Sequence, residues 1–187
     1  RKGRSDLVDI VRRISELIRI CYVRQKEPLG LGHAVLAARH LVGDEPFAVL
    51  LGDDILTDET PALQQMIRIH EAHRCAVMLV QRVPKSEVSR YGVIKGRKIG
   101  DGLYHIMDMV EKPDPDKAPS DLALIGRYIL TPDLFPLLEG TASDRSGEIQ
   151  LTNALKALLK RKKTMIYALE FPGRWHDAGT VLGFLKT

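Results

Sequence analysis

The chain has 187 residues, 44% of them hydrophobic, enough for one domain with a core of its own and little more. No run of eighteen apolar residues occurs, and the charged opening RKGRSDLVDIVRR lacks an apolar signal core, which argues against a membrane span or secretory peptide and for a soluble, cytoplasmic protein. A formal charge of +4 suits small anionic substrates, while 5% aromatic content argues against stacking platforms for nucleic acid.

In chain order, Ser5 caps a segment with Leu7, Ile10, Val11, Ile14, Leu17 and Ile18 at helical spacing, which predicts an amphipathic helix. CYVRQ (21–25) reads as a strand, HAVLAARHLV (33–42) as a helix, and PFAVLL (46–51) as a strand covered on both faces. Thr60 followed by Pro61 predicts an N-cap and first-turn proline, opening a helix through about Ala72. CAVMLVQRV (75–83) returns as a strand. Up to this point strand alternates with helix, the pattern of a mostly parallel sheet wrapped by helices. YGVIKGRKI, the turn at Gly100-Asp101-Gly102 and LYHIMDMVEKP then read as a hairpin, and LALIGRYIL (122–130) as a further strand. Thr131-Pro132 opens a short helix, GEIQLTNALKALLKR is a longer one, TMIYALEF a strand ending at Pro172, and VLGFLKT the start of an amphipathic helix. The basic run Lys160 to Lys163 falls where cations face a helix C-terminal dipole, so a solvated helix end accounts for it better than a nucleic-acid patch does. Cys21 and Cys75 each open an apolar run without CxxC or Cys/His spacing, which predicts buried free thiols rather than a disulfide or zinc site.

Chemistry concentrates at strand exits. PFAVLL ends at Gly52 and delivers Asp53 and Asp54, and in an open α/β sheet ligands gather beyond the carboxyl ends of the strands. A carboxylate there suits a hard cation such as Mg²⁺, which takes one or two protein carboxylates and fills its octahedron with water and phosphate oxygens. Taken alone, Gly-Asp-Asp also reads as a solvated turn. QKEPLGLGHAV (25–35) puts Gln25 at a strand end and glycines 30 and 32 before a helix. Gln offers donor and acceptor together for a base edge, and Gly30 lets a base lie against the backbone; the plain alternative is a relaxed loop with Gln25 in water. MVEKPD (109–114) delivers Glu111 and Lys112 before a proline. Adjacent strand residues point to opposite faces, so an ion pair between them is awkward and each is expected to serve a different partner: sugar hydroxyls for Glu111, phosphate for Lys112. PGRWHDAGT (172–180) carries Trp175, His176 and Asp177 before a helix capped by Thr180. Asp177 could supply a second metal carboxylate, while Trp175 by itself reads as core and His176 as structural. The His-Asp pair also suggests metal hydrolases, whose remaining ligands have no matching motif here.

Taken together and in order, QKEPLGLGHAV, LLGDDIL, RYGVIKG, MVEKP, LIGRYIL, GEIQLTNAL and WHDAGT resemble the bacterial UTP–glucose-1-phosphate uridylyltransferases, from about Tyr22 to the end of the chain. The resemblance implies a Rossmann-like mixed, mostly parallel α/β sheet and Mg²⁺-dependent uridylyl transfer from UTP to glucose 1-phosphate, giving UDP-glucose and pyrophosphate. It implies that Gln25 and Gly30 contact uracil and that Asp53 and Asp177 hold Mg²⁺ against the phosphates. Gly92, Glu111 and Lys112 would surround glucose 1-phosphate, with Gly126 close to the sugar. Lys112, Asp53 and Asp177 would then be the catalytic residues, in a cytoplasmic homo-oligomer with no nucleic-acid or membrane partner. The family's G-x-G-T-R loop and later Pro-Lys segment are absent, so residues 1–187 are expected to form a single nucleotidyltransferase domain lacking its N-terminal nucleotide-binding segment. Asn153 stands where relatives commonly carry Asp. A non-catalytic sugar-nucleotide binding or assembly fragment, and a thymidylyl or adenylyl transferase, are the alternatives.

Overall fold

The computed structural model describes residues 2–144, 146–161 and 164–186, the side chains of 2–6 and 186 apart. Its centre is a sheet in the order β1-β6-β3-β7-β5-β4, made of β1 (Phe47–Leu50), β3 (Ala76–Arg82), β4 (Gly92–Gly100), β5 (Leu103–Glu111), β6 (Leu122–Leu130) and β7 (Ile166–Glu170). A second, two-stranded sheet pairs β2 (Asp54–Thr57) with β8 (Arg174–Asp177).

β3 and β6 read as continuous apolar runs because both their faces are covered. Met78, Val80, Leu124 and Leu130 face one cluster, which is closed by α2 (Leu31–Ala37), α5 (Phe135–Glu139) and α6 (Leu151–Leu159). Val77, Leu79, Ile125 and Ile129 face a second cluster under α4 (Ala62–His73). Met66 on α4 and Leu155 and Leu158 on α6 are fully buried, each contributing about 1.5–3 kcal/mol. Lys156 fixes α6 to β5, its Nζ lying 2.9 Å from Asp108 and donating to the Met109 carbonyl at 3.2 Å.

The mixed α/β sheet flanked by helices is the expected fold. The expectation that it is mostly parallel is corrected: β3 with β7 is parallel, whereas β1–β6, β3–β6, β4–β5, β4–β6 and β5–β7 are antiparallel. β6 departs from the alternation rule because it runs between β1 and β3 against both. β1 is an edge strand with alternating half-buried and exposed residues, not one covered on both faces, and Leu50 is exposed. CYVRQ forms no strand in the described residues, and Tyr22 is 91% exposed.

The first helix, α1 (Lys2–Glu16), begins before Ser5, which therefore does not stand at its N-cap. Its apolar residues Leu7, Ile10, Val11 and Ile14 are exposed. The 33–42 helix breaks at Ala38 into α2 and α3 (Arg39–Val42), and α4 is preceded by Pro61 as cap residue in place of Thr60. The last helix, α7 (Val181–Lys186), is capped as expected, with Thr180 Oγ1 accepting the Gly183 N–H at 3.0 Å. Lys160 is the C-cap of α6, while Lys162 and Lys163 lie outside the described residues. No described helix is long and apolar enough to cross a membrane.

Candidate active site

The β2–β8 ladder builds the first half of the site. Its register sets Asp54 opposite Asp177 and Leu56 opposite Trp175, and the Ala178 N–H donates to the Asp53 carbonyl at 2.8 Å. Two acids from distant parts of the sequence thereby meet. A Cβ placed on Gly179 would lie 2.8 Å from Asp53 Oδ2 and 3.1 Å from Asp177 Oδ1, so both carboxylates border one gap that a glycine leaves open. Two hard oxygen donors around such a gap fit a divalent cation of the Mg²⁺ class, which needs no more than one or two protein carboxylates. Among the described residues no group of three or more His, Cys, Asp or Glu side chains could hold a metal, so the pair is the metal-binding candidate.

Asp177 is already engaged. Its Oδ1 accepts the Gly179 N–H at 2.9 Å, while Oδ2 accepts from Arg90 at 2.5 Å and from the Tyr91 hydroxyl at 2.9 Å. Burial pushes the Tyr91 phenol up from its usual range, and its hydrogen bond to Asp177 pushes the same way, so Tyr91 stays a donor. Asp54, next to the pair, accepts the Trp175 indole N–H at 2.5 Å. Burial holds its carboxyl above the usual carboxylate range; Trp175 opposes the shift, and the Asp53 and Asp177 charges add to it.

β6 closes this end through a bulge. Val80 faces Leu124 while Met78 faces Tyr128, which leaves the residues between unpaired with β3 and sets Gly126 and Arg127 against the 51–54 turn. Gly126 sits there at φ +45°, and a Cβ on it would fall 1.9 Å from Asp54 Oδ2. Its neighbour Arg127 staples the turn, donating to the Leu51 carbonyl at 2.8 Å and to the Asp54 carbonyl at 2.5 Å. Gly126 lines the cleft, but the group it admits is the Asp54 carboxylate.

The hairpin supplies the other half. Gly92 lies opposite Glu111 in the β4–β5 register, and a Cβ there would be 3.1 Å from Glu111 Oε2 and 3.3 Å from Thr152 Oγ1. The Thr152 hydroxyl donates to Glu111 Oε2 at 2.7 Å and fixes the carboxylate. Lys112 leaves the strand at φ +44°, and its Nζ comes to 3.9 Å from Glu111 Oε1. The opposite-faces argument against a Glu111–Lys112 pair is thus corrected, because Lys112 has left the pleat. A left-handed non-glycine residue is strained, and such strain collects at functional sites.

Asp53, Asp177, Gly92, Glu111, Lys112 and Gly126 all line one cleft of about 520 Å³, with Arg90, Tyr91, Tyr128 and Thr152. Gln25 and Gly30 do not line it; of their loop, Leu31 does. The Gln25 amide nitrogen donates to the Gly30 carbonyl at 3.2 Å and meets His33 Nδ1 at 2.8 Å. This loop is locked to the GEIQLT segment, since the Ile149 N–H donates to the Leu29 carbonyl at 2.7 Å and the Gly32 N–H to the Ile149 carbonyl at 2.9 Å. Sequence reasoning quoted Arg90, Tyr91 and Thr152 inside motifs without giving them a role. It read Trp175 as core, and Trp175 both packs on two apolar clusters and bonds Asp54.

The family model described as "Nucleotidyl transferase" matches residues 4–187. The chain belongs to the nucleotidyl transferase family. Members of this family generally use a divalent metal. Within it, the chain is 45% identical over 186 residues to the UTP–glucose-1-phosphate uridylyltransferase of Staphylococcus epidermidis, covering 100% of this chain and 64% of that protein. It is likewise 45% identical over 186 residues to the Bacillus subtilis nucleotidyl transferase of the same name, covering 63% of it. Among solved structures it matches a UDP-glucose pyrophosphorylase complexed with UDP-glucose, with a TM-score of 0.92 and 44% identity, over 98% of this chain and 70% of that one. The chain spans 64% of the length of the first of these curated relatives.

Proposed function

We propose that the natural protein carrying this sequence transfers the uridylyl group of UTP to glucose 1-phosphate, forming UDP-glucose and releasing pyrophosphate. The reading is carried by one observation: the Asp53–Asp177 pair opens onto the same cleft as Glu111, Lys112 and Thr152. An acidic pair for a phosphate-bound cation beside a lysine and a fixed carboxylate is what joining two phosphate esters demands. A phosphate oxygen of glucose 1-phosphate forms a bond to the α-phosphorus of UTP, the bond from that phosphorus to the oxygen bridging to the β-phosphate breaks, and pyrophosphate leaves with the electron pair.

Each residue then has a task. Glu111, held by Thr152, accepts from sugar hydroxyls, and Lys112 faces the phosphate of glucose 1-phosphate as a point charge. Gln25 and Gly30 meet the uracil. Asp53 and Asp177 hold Mg²⁺, which when bound supplies neutralisation of phosphate charge. No protein nucleophile is needed, because positioning and charge carry the rate.

The test is Mg²⁺-dependent pyrophosphate release from UTP plus glucose 1-phosphate by the natural protein. Asp53→Ala and Asp177→Ala should each lower kcat/KM by about 10²-fold or more with an unchanged circular-dichroism spectrum. Absence of turnover in the unmutated protein would end the proposal, and full rates in either variant would end the metal assignment.

A further inference from the structure

Gln25 can read a base only if its two amide ends are told apart, and the loop around it does so. The Gly30 carbonyl, 3.2 Å from Gln25 Nε2, can only accept, so the NH₂ end must face it. The same nitrogen is 2.8 Å from His33 Nδ1, where the second amide proton goes. His33 therefore accepts at Nδ1 and carries its own proton on Nε2. Both amide protons are then used, and Gln25 Oε1, which accepts nothing among the described residues, is the atom left for a ligand.

We propose that His33 is a positioning residue that sets the polarity of the Gln25 carboxamide and thereby selects a base with an N3–H donor. The inference rests on the uridylyl reading, with Gln25 as the base-reading group, and adds the residue that makes that group discriminate. Uracil presents N3–H, a donor, to an outward Oε1. Cytosine presents a lone pair at the same atom, and two acceptors repel. Without His33 the carboxamide is oriented only by its longer bond to Gly30, so the flipped form that offers its amine end to cytosine costs less. Thymine carries the same N3–H as uracil, so His33 should not affect the choice between those two.

The natural protein is assayed with glucose 1-phosphate and UTP, CTP or dTTP, and its binding of UDP-glucose and CDP-glucose is measured by calorimetry. His33→Ala is expected to cut the UTP-over-CTP ratio of kcat/KM about tenfold, mainly through the KM for UTP, and to leave the UTP-over-dTTP ratio within about twofold. His33→Asn, whose side-chain oxygen stands off Cγ as Nδ1 does, should restore the ratio to within about threefold of the parent. His33→Gln, with its polar atoms one bond further out, should not. If His33→Ala does not fold, the Asn and Gln variants carry the comparison. Equal losses for UTP and CTP in His33→Ala, or His33→Asn no better than His33→Gln, would overturn the inference and leave the uridylyl reading standing. An unmutated protein that neither turns over nor binds either nucleotide would overturn that reading and this inference with it.

Discussion

Thr152 shows how a small polar side chain sets what a charged one can do. Its hydroxyl gives Glu111 Oε2 a hydrogen bond of 2.7 Å, which orients the carboxylate more firmly than Lys112, 3.9 Å from Oε1, can. Thr152→Val keeps shape and removes the donor. In the natural protein the KM for glucose 1-phosphate should then rise about three- to tenfold, with kcat within about twofold, because the bond it removes orients the carboxylate proposed to hold the sugar in the ground state. A fall in kcat without change in KM would place Glu111 on the reacting atoms instead. At the same scale the two thiols differ by neighbourhood alone. Burial pushes the Cys75 thiol up to about 11, whereas Cys21 is exposed. A disulfide reagent at pH 8 should therefore modify Cys21 within seconds to minutes, and Cys75 only after denaturant opens the fold. Rapid labelling of both in buffer would contradict the packing of β3. The sequence makes these cysteines look alike, since each opens an apolar run, and only the presence or absence of a neighbouring strand separates them.

A bulge in β6 does for the site what no regular strand could, freeing Gly126 and Arg127 from β3 while β1 still holds them against the 51–54 turn. Gly126→Ala should cost about 2 kcal/mol or more, because the left-handed φ and the Asp54 carboxylate 1.9 Å from the new Cβ act together. Urea unfolding measures it, and an unchanged midpoint would mean that the Asp54 turn yields without cost. The long elements β3, β4, β5, β6 and β7 are legible in the sequence because burial writes a continuous or alternating apolar pattern. β2 and β8 are not, being four residues each, with their partners on far sides of the chain. CYVRQ fails for the opposite reason: its composition favours a strand, but a strand is a property of a pair and no described strand pairs with it. The acids Asp53 and Asp177 are visible as residues after strand-like runs, yet only the β2–β8 register decides that they meet. Arg90 and Tyr91 escape notice because their partner, Asp177, is fixed by that same register.

Across the molecule, the backbone of Ile149 ties the proposed uracil loop to the segment that holds the proposed sugar site. Ile149 donates to the loop that carries Gln25 and Gly30 and accepts from Gly32, while three residues later Thr152 holds Glu111. A displacement on the nucleotide side should therefore be felt at the sugar. Gly32→Ala tests this. In an ordinary helix the change would gain about 1 kcal/mol. Here the new Cβ would stand 2.6 Å from the Ile149 carbonyl and 3.1 Å from Leu138, so strain of about 1–3 kcal/mol outweighs the gain. The backbone at Ile149 must give way and take Thr152 with it. The expected result is a KM for glucose 1-phosphate raised about three- to tenfold, although Gly32 itself stands beside the proposed uracil loop. If the effect passes through Thr152, the double variant Gly32→Ala, Thr152→Val should be little worse than either alone; if the two sites act independently, their effects multiply. A Gly32→Ala protein that loses affinity for UTP and keeps its KM for glucose 1-phosphate would show that the bridge is mechanical support and not a coupling.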